Sequence, residues 1–204
     1  MLDGDLRIPE DPVGLVVFAH GSGSSRRSPR NRFVAGALGR AGLGTLLMDL
    51  LTQEEEEADR ATGHLRFDID LLGGRVVDAL DWLTAEPDTS AVPVGLFGAS
   101  TGAAAALRAA AARPEIVKAV VSRGGRPDLT GPSLRDVQAP TLLVVGARDD
   151  QVIDMNRQAL ESLRCEARLE LVPGASHLFE EPGTLETAAE LASEWFVDHL
   201  GGDA

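Results

Sequence analysis

The sequence predicts an α/β fold of three layers, in which helices cover both faces of a doubly wound, mostly parallel β-sheet. Two observations favour this class. Short continuous apolar runs recur along the chain, as is typical of strands buried on both faces of a sheet. Between these runs lie longer segments whose apolar residues recur at helical spacing. Strands that alternate with helices indicate βαβ units, whose right-handed crossovers put helices on both faces.

Three strands and three helices are predicted in the first half of the chain. The strands are the apolar runs at residues 15–19 (LVVFA), 45–50 (TLLMDL) and 94–97 (VGLF). The helices are residues 32–41 and 66–83, whose apolar residues share one face, and the alanine-rich residues 101–113, which end before Pro114. The acidic run at residues 54–57 is expected to be a solvated loop or the start of a helix.

The second half of the chain continues the alternation. Residues 117–122 and 141–146 (TLLVVG) are predicted strands, and a turn-rich stretch at residues 124–132 separates them. Helices are predicted at residues 154–163 and 184–200. Residues 167–172 (ARLELV) alternate apolar and polar side chains, which suits an edge strand. The six strands predict one sheet, and the length predicts a single domain over residues 1–204.

Composition and charge narrow the class of function. The net charge of −13 argues against nucleic acid as a partner, because phosphate binding needs a basic surface. No run of about 18 apolar residues indicates a membrane span, and the first residues lack the basic and apolar regions of a signal peptide. Cys165 is the only cysteine, and no Cys/His cluster has the spacing of a zinc site. We therefore expect a cytoplasmic protein without a bound metal.

The loop after residues 94–97 carries the strongest motif. It reads Gly98-Ala99-Ser100-Thr101-Gly102, a G-x-S-x-G pattern that follows a predicted strand and opens a predicted helix. Such a turn exposes the Ser100 hydroxyl at a helix N-terminus, where the dipole and free N–H groups stabilise negative charge. The same pattern also occurs in glycine- and serine-rich turns without chemistry. The strand before it and the helix after it favour Ser100 as a nucleophile.

A serine nucleophile needs a base and an acid that orients the base. His177 lies between the last predicted strand and the last predicted helix, which puts it at the carboxyl edge where ligands of such sheets bind. Asp149 and Asp150 follow the strand at residues 141–146. The distance from the strand end favours Asp149 as the orienting acid, with Asp150 as the alternative.

An oxyanion hole needs two backbone N–H groups that point at the same oxygen atom. Thr101, directly after the nucleophile, supplies one of them. The second is expected from Ser22, in the small-residue loop that follows residues 15–19. His20 in the same loop is expected to hold the loop in position rather than to act as the base.

These motifs resemble the α/β-hydrolase superfamily and, more narrowly, small proteins of the dienelactone hydrolase-like group. The resemblance runs from LVVFAHGSGSS through GLFGASTG and TLLVVGARDDQV to VPGASHLFEEPG, nearly the whole chain. It implies a minimal α/β-hydrolase fold without a lid domain, a catalytic triad in the order Ser100, Asp149, His177, and ester hydrolysis without metal or organic cofactor. Dienelactone hydrolases carry a cysteine nucleophile, whereas position 100 is serine, so the resemblance does not fix dienelactone as the substrate.

Two loops at the predicted carboxyl edge are basic although the protein is acidic. Residues 24–32 (SSRRSPRNR) include Arg30, and residues 122–127 (SRGGRP) include Arg123 and Arg126. Arginine binds carboxylates and phosphates through two parallel hydrogen bonds. We therefore take Arg30, Arg123 and Arg126 as candidate binding residues for an anionic acyl substrate. The alternative is that these arginines pair with nearby acids such as Asp128.

Together these residues predict a serine hydrolase that cleaves a small carboxylic ester through an acyl-enzyme on Ser100. A thioesterase, lactonase or peptidase with the same triad is an alternative reaction. A non-catalytic binding module on the same fold is an alternative of a different class. The expected partner is a small-molecule ester, with no nucleic acid and no membrane, and a homodimer is the base-rate assembly.

Overall fold

A seven-stranded sheet forms the centre of the computed structural model, which describes residues 2–202. The strands are β1 (Gly4–Arg7), β2 (Leu15–Ala19), β3 (Gly44–Met48), β4 (Val94–Ala99), β5 (Val117–Arg123), β6 (Thr141–Gly146) and β7 (Ala167–Val172). Their order across the sheet is β1-β3-β2-β4-β5-β6-β7. All neighbouring strands run parallel except β1 and β3, which are antiparallel. The prediction of a mostly parallel sheet is confirmed.

Helices cover both faces of this sheet. Within the described residues they are α1 (Pro29–Arg40), α2 (Gln53–Thr62), α3 (Ile69–Ala85), α4 (Thr101–Ala112), α5 (Asp150–Ser162) and α6 (Thr184–Leu200), with 3-10 segments at Leu65–Phe67 and Pro127–Asp136. Helices α1 and α6 pack against one face, and α3, α4 and α5 pack against the other. The three-layer prediction is therefore confirmed, since each face of the sheet buries its apolar side chains under helices.

Strand β1 is missing from the six strands that the sequence predicts. All of its residues are exposed, and it pairs only with β3, so that Gly4 lies opposite Met48 and Arg7 opposite Thr45. An edge strand without a buried face needs no apolar run, and Leu6 is its one large apolar residue. The hydrophobic pattern detects burial rather than strand pairing, which is why the prediction is one strand short. Strand β7 lies at the opposite edge, as predicted.

Local caps determine where the first helices begin. The Ser28 hydroxyl oxygen accepts a hydrogen bond from the Asn31 N–H, and Pro29 occupies the first position of α1. Thr52 and Glu55 form a capping box at the start of α2, each side chain accepting from the backbone N–H of the other residue. The acidic run at residues 54–57 is therefore the start of a helix, the second of its two expected structures.

The loops after β2, β4, β6 and β7 all open at the carboxyl edge of the sheet. Helix α6 begins near this edge and runs back to the opposite edge, where Leu200 packs against Gly14 just before β2. In the range 2–202 no helix has both the length and the apolar character that crossing a membrane requires. The fold thus gathers the loops that follow β2 to β7 at the carboxyl ends of the parallel strands and leaves the end of α6 at their amino ends.

Candidate active site

Ser100 lies in a strained turn between β4 and α4. Its backbone has φ 52° and ψ −122°, a conformation that residues other than glycine rarely adopt. Two glycines permit this turn. A Cβ atom on Gly98 would overlap the backbone of Ala103, and a Cβ atom on Gly102 would overlap the carbonyl oxygen of Ala19. The glycines of the G-x-S-x-G pattern are therefore required by the close approach of β4, α4 and the end of β2.

The turn also fixes the position of Ser100 relative to the next strand. The Ser100 N–H donates to the carbonyl oxygen of Arg123, the last residue of β5, at 3.2 Å. Thr101 is the first residue of α4, so its N–H has no acceptor within the helix. The Ser100 side chain therefore stands at a helix N-terminus, where unpaired N–H groups and the helix dipole favour negative charge.

His177 and Asp149 are hydrogen-bonded to each other. His177 Nδ1 lies 2.6 Å from Asp149 Oδ2. Asp149 occupies the N-cap position of α5, yet its side chain does not cap the helix, which leaves the carboxylate available to the imidazole ring. A carboxylate on Nδ1 selects the tautomer whose Nε2 can accept a proton. Asp150, the alternative from the sequence, is exposed and makes no hydrogen bond to His177 among the described residues.

The loop that carries His177 is held by contacts on both sides of the histidine. The Glu181 carboxylate accepts from the Ser176 N–H at 3.0 Å, and this hydrogen bond lowers the pKa of Glu181. Phe179 is buried and has φ 56°, so Ser100 and Phe179 are the two residues other than glycine with positive φ in the described chain. No pattern in the sequence pointed to the positive φ of Phe179, because a single strained phenylalanine has no local sequence signature.

The end of β5 contacts both Ser100 and His177. Gly124 follows the Arg123 carbonyl that accepts from the Ser100 N–H, and it lies close to His177. A Cβ atom on Gly124 would be 3.7 Å from His177 Cε1 and 3.2 Å from the His177 carbonyl oxygen. Among residues 2–202 no hydrogen bond joins the Ser100 hydroxyl to His177. Hydrogen bonds of this type are often long without substrate and tighten when substrate binds.

The loop after β2 contains His20, Gly21 and Ser22, and it lies beside Ser100. A Cβ atom on Gly21 would be 3.1 Å from Ser100 Cβ, so the loop approaches the nucleophile closely. His20 Nε2 accepts from the Leu50 N–H at 3.1 Å, and Nδ1 lies 2.9 Å from the Gly21 carbonyl oxygen. Burial lowers the pKa of His20, which favours the neutral ring that these contacts require. These contacts fit the expected role of His20 in holding the loop.

The Ser22 N–H, predicted as an oxyanion donor, already has an acceptor in this structure. It donates to Thr101 Oγ1 at 2.8 Å. The two residues are far apart in the chain, and the hydrogen bond joins the loop after β2 to the first turn of α4. The Thr101 side chain is buried at this junction.

The three candidate arginines have different surroundings. Arg126 pairs with Asp128 through two hydrogen bonds of 2.9 and 2.8 Å, the local pairing that the sequence left open. Arg30 lies 3.4 Å from Glu180, an exposed carboxylate. Arg123 is 7% exposed, and neither its Nε nor its Nη1 has a hydrogen-bond partner among the described residues.

The Arg123 guanidinium instead lies over the Phe179 ring, 5.5 Å from its centroid. Burial, with the charge of Arg30 nearby, lowers the pKa of Arg123 to about 10, so the side chain is still charged at neutral pH. A buried cation without a carboxylate partner is unfavourable for folding. A buried guanidinium at the carboxyl end of β5 is therefore a feature that stability alone does not explain.

A pocket of about 540 Å³ opens beside the loop after β2. It is lined by the backbone and side chains of this loop, including Ser22 and Ser24, and by Arg27, Arg60 and Leu72 from the loop and the adjoining helices. None of Arg30, Arg123 and Arg126 lines this pocket. Within residues 2–202, no group of three or more His, Cys, Asp and Glu side chains is arranged to hold a metal ion.

Comparisons with known proteins identify relatives over nearly the whole chain. A model of the dienelactone hydrolase family matches residues 2–201. The crystal structure of a dienelactone hydrolase from Anabaena variabilis is 64% identical, with a TM-score of 0.95, and the match covers 97% of this chain and 92% of that chain. An α/β serine hydrolase without lid from Xanthomonas campestris has a TM-score of 0.77 at 22% identity, covering 100% of this chain and 91% of that chain, which shows a shared fold.

Two curated proteins from strains of Mycobacterium tuberculosis are also similar. Each is named "Putative phosphoribosyl transferase" and is 59% identical to this chain over 199 residues. The match covers 98% of this chain but 44% of each relative. The chain therefore spans less than half the length of these relatives.

Proposed function

The chain belongs to the dienelactone hydrolase family, and from this premise we propose that it is a serine hydrolase that cleaves a small carboxylic ester through an acyl-enzyme on Ser100. The observation that carries the proposal is the 2.6 Å hydrogen bond between His177 Nδ1 and Asp149 Oδ2, at the sheet edge where Ser100 sits in a strained turn. A base with an oriented imidazole beside a serine at a helix N-terminus is the arrangement that acyl transfer requires.

In the proposed mechanism, His177 Nε2 accepts the hydroxyl proton as Ser100 Oγ attacks the ester carbonyl carbon. Asp149 stabilises the imidazolium that forms, through its hydrogen bond to Nδ1. The Thr101 N–H, together with the loop that carries Ser22, stabilises the negative oxygen of the tetrahedral intermediate. His177 then gives the proton to the leaving alcohol, and a water molecule repeats the sequence on the acyl-enzyme to release the acid.

The substrate class is proposed from Arg123. This buried guanidinium has no carboxylate partner among residues 2–202, and it belongs to the residue whose backbone carbonyl accepts a hydrogen bond from the Ser100 N–H. An acyl group that carries a carboxylate would supply the missing partner. Arg126 is already paired with Asp128, and Arg30 has only the long contact with Glu180, which makes Arg123 the strongest of the three candidates.

The phosphoribosyl transferase name of the two mycobacterial relatives is not proposed for this chain. Those proteins are more than twice as long as the part that this chain matches. The matched part is described by a hydrolase family over residues 2–201, and this supports hydrolysis rather than transfer to a phosphorylated sugar.

The test is active-site labelling with a fluorophosphonate probe, measured by intact mass. We expect the wild-type protein to take up one label per chain and Ser100→Ala to take up none, because the probe reacts only with an activated serine. Ser24→Ala, in the neighbouring loop, is the matched control and should label like the wild type. A folded wild-type protein that does not label would instead support the non-catalytic binding module.

Once labelling is established, a panel of esters, thioesters and lactones separates the remaining reactions. An ester preference is expected. Faster turnover of a thioester or a lactone would keep the triad but change the substrate class.

A further inference from the structure

The hydrogen bond between the Ser22 N–H and Thr101 Oγ1 changes how an oxyanion could be bound in this protein. An oxyanion hole usually presents its N–H groups directly to the developing charge. Here the Ser22 N–H points at the Thr101 hydroxyl, with a distance of 2.8 Å between the nitrogen and Oγ1. The hydrogen bond therefore joins the loop after β2 to the side chain of the residue that follows Ser100.

The hydrogen of the Thr101 hydroxyl has no hydrogen-bond acceptor among the described residues. A hydroxyl donates one hydrogen bond and can accept two. Thr101 Oγ1 accepts from Ser22, and no hydrogen bond that it donates is found among residues 2–202. The residue is 3% exposed, and a hydroxyl donor in such a position is normally paired with an acceptor.

We propose that the Thr101 hydroxyl is an oxyanion donor, and that Ser22 acts through it rather than on the oxyanion directly. This inference rests on the proposed function, since it concerns the intermediate formed on Ser100. When the carbonyl oxygen becomes negative, it accepts from the Thr101 N–H and the Thr101 O–H. The Ser22 N–H strengthens the second of these bonds, because an oxygen that accepts a hydrogen bond becomes a better donor. No proton is transferred in this step.

A second arrangement is compatible with the same hydrogen bond, and it predicts the opposite change in rate when the Thr101 hydroxyl is removed. In the rival arrangement, Thr101 Oγ1 only occupies the Ser22 N–H in the free protein, and the side chain must turn away before an oxyanion binds. Removing the hydroxyl would then free the Ser22 N–H and leave the rate unchanged or raise it. In the proposed arrangement, removing the hydroxyl leaves the Ser22 N–H without its connection to the oxyanion, and the rate falls.

The experiment compares Thr101→Val with Thr101→Ser in the hydrolysis of p-nitrophenyl acetate. Valine keeps the shape and lacks the hydroxyl, whereas serine keeps the hydroxyl. We expect Thr101→Val to lower kcat by about 100-fold with little change in KM, because the lost contact forms only in the transition state. Thr101→Ser should stay within about threefold of the wild-type kcat, since it retains the donor. An unchanged or higher kcat for Thr101→Val would overturn the proposal.

Two controls separate this inference from folding and from the proposed function. Thr141→Val removes a fully buried hydroxyl that donates to the Ala139 carbonyl oxygen in another part of the sheet, and it should lower stability without changing kcat. If Thr101→Val does not fold, Thr101→Ala and the affinity for a boronic acid, which forms a tetrahedral adduct with serine, replace it, with the same expected loss. Wild-type protein that fails to label at Ser100 refutes the function itself. Normal wild-type labelling with unchanged Thr101→Val kinetics refutes only the oxyanion donor.

Discussion

At the scale of single residues, the burial of the Arg123 guanidinium opposes stability. Its guanidinium is buried over the Phe179 ring, and two of its nitrogen atoms have no hydrogen-bond partner in the described residues. Burial disfavours its charged form, as the lowered pKa of about 10 shows. Such unpaired charges are typical of sites where the partner is a ligand rather than another side chain.

We expect Arg123→Met to be more stable than the wild type and less selective among esters. Methionine preserves the stacking on Phe179 and removes the buried charge, so the unfolding midpoint in urea should rise. The preference of the wild type for p-nitrophenyl hemisuccinate over p-nitrophenyl butyrate, measured as the ratio of kcat/KM, should fall by about 10-fold or more, the effect of losing a hydrogen bond to a charged group.

Arg113→Met serves as the control for this comparison, because Arg113 forms two 2.8 Å hydrogen bonds with Asp81 away from the site. It should leave the ester preference unchanged. Equal turnover of the two esters by the wild type, together with no effect of Arg123→Met, would contradict an anionic substrate.

At the scale of elements, the site depends on how closely α4 approaches the end of β2. A Cβ atom on Gly102 would overlap the carbonyl oxygens of Ala19 and His20, which are backbone atoms that cannot rotate away. The same approach sets the distance from Ser100 to the loop that carries Ser22. Helix position and site geometry are therefore coupled through one glycine.

We expect Gly102→Ala to lower the free energy of unfolding by about 1–3 kcal/mol, the usual effect of overpacking, although alanine is the better helix former. The same substitution at Gly74 should have the opposite sign. Gly74 is exposed within α3, where an added Cβ meets no atom within 4 Å, so Gly74→Ala should raise stability by up to about 1 kcal/mol. Urea unfolding of both variants is the measurement, and a stable Gly102→Ala protein would show that α4 can shift.

The sequence identified buried elements well and exposed ones poorly. Strands β2 to β6 appear as apolar runs because both of their faces are covered, whereas β1 is exposed and leaves no such pattern. Ser100, His177 and Asp149 could be selected because their loops follow predicted strands. The Ser22–Thr101 hydrogen bond and the positive φ of Phe179 could not, since they depend on side-chain and backbone angles between distant segments.

At the scale of the whole molecule, Arg26 links the start of the chain to the site. Its side chain is hydrogen-bonded to Asp49, which follows β3, and it lies 3.4 Å from Asp3 and 3.8 Å from Asp5 beside or within β1. The hydrogen bond to Asp49 raises the pKa of Arg26, so the pairing favours its charged form. Arg26 itself belongs to the loop after β2, a few residues from Ser22. Arg26 therefore connects the edge strand β1 to the loop after β2 that carries Ser22.

We expect Arg26→Met to loosen β1 more than any other strand. Hydrogen exchange of the β1 amides, followed by mass spectrometry, should become about threefold faster, because exposed ion pairs such as those with Asp3 and Asp5 contribute up to about 1 kcal/mol. Arg157→Met is the matched control. Within the part of the chain that the structure describes, Arg157 pairs with Asp154 of its own helix, at the surface, and its removal should leave β1 exchange unchanged. Unchanged exchange in Arg26→Met would mean that backbone pairing with β3 holds the strand by itself.

The homodimer expected from base rates stays a separate prediction, which analytical sedimentation of the protein would test.

The path of α6 has a practical consequence for handling the protein. The helix begins at the carboxyl ends of the strands, after the His177 loop, and ends where Leu200 packs against Gly14, near their amino ends. A support attached to the exposed face at the end of that helix would therefore hold the molecule from the side opposite the candidate site. Protein immobilised in this way would present the loops that carry Ser100 and His177 to the bulk solution, which suits surface-based binding assays.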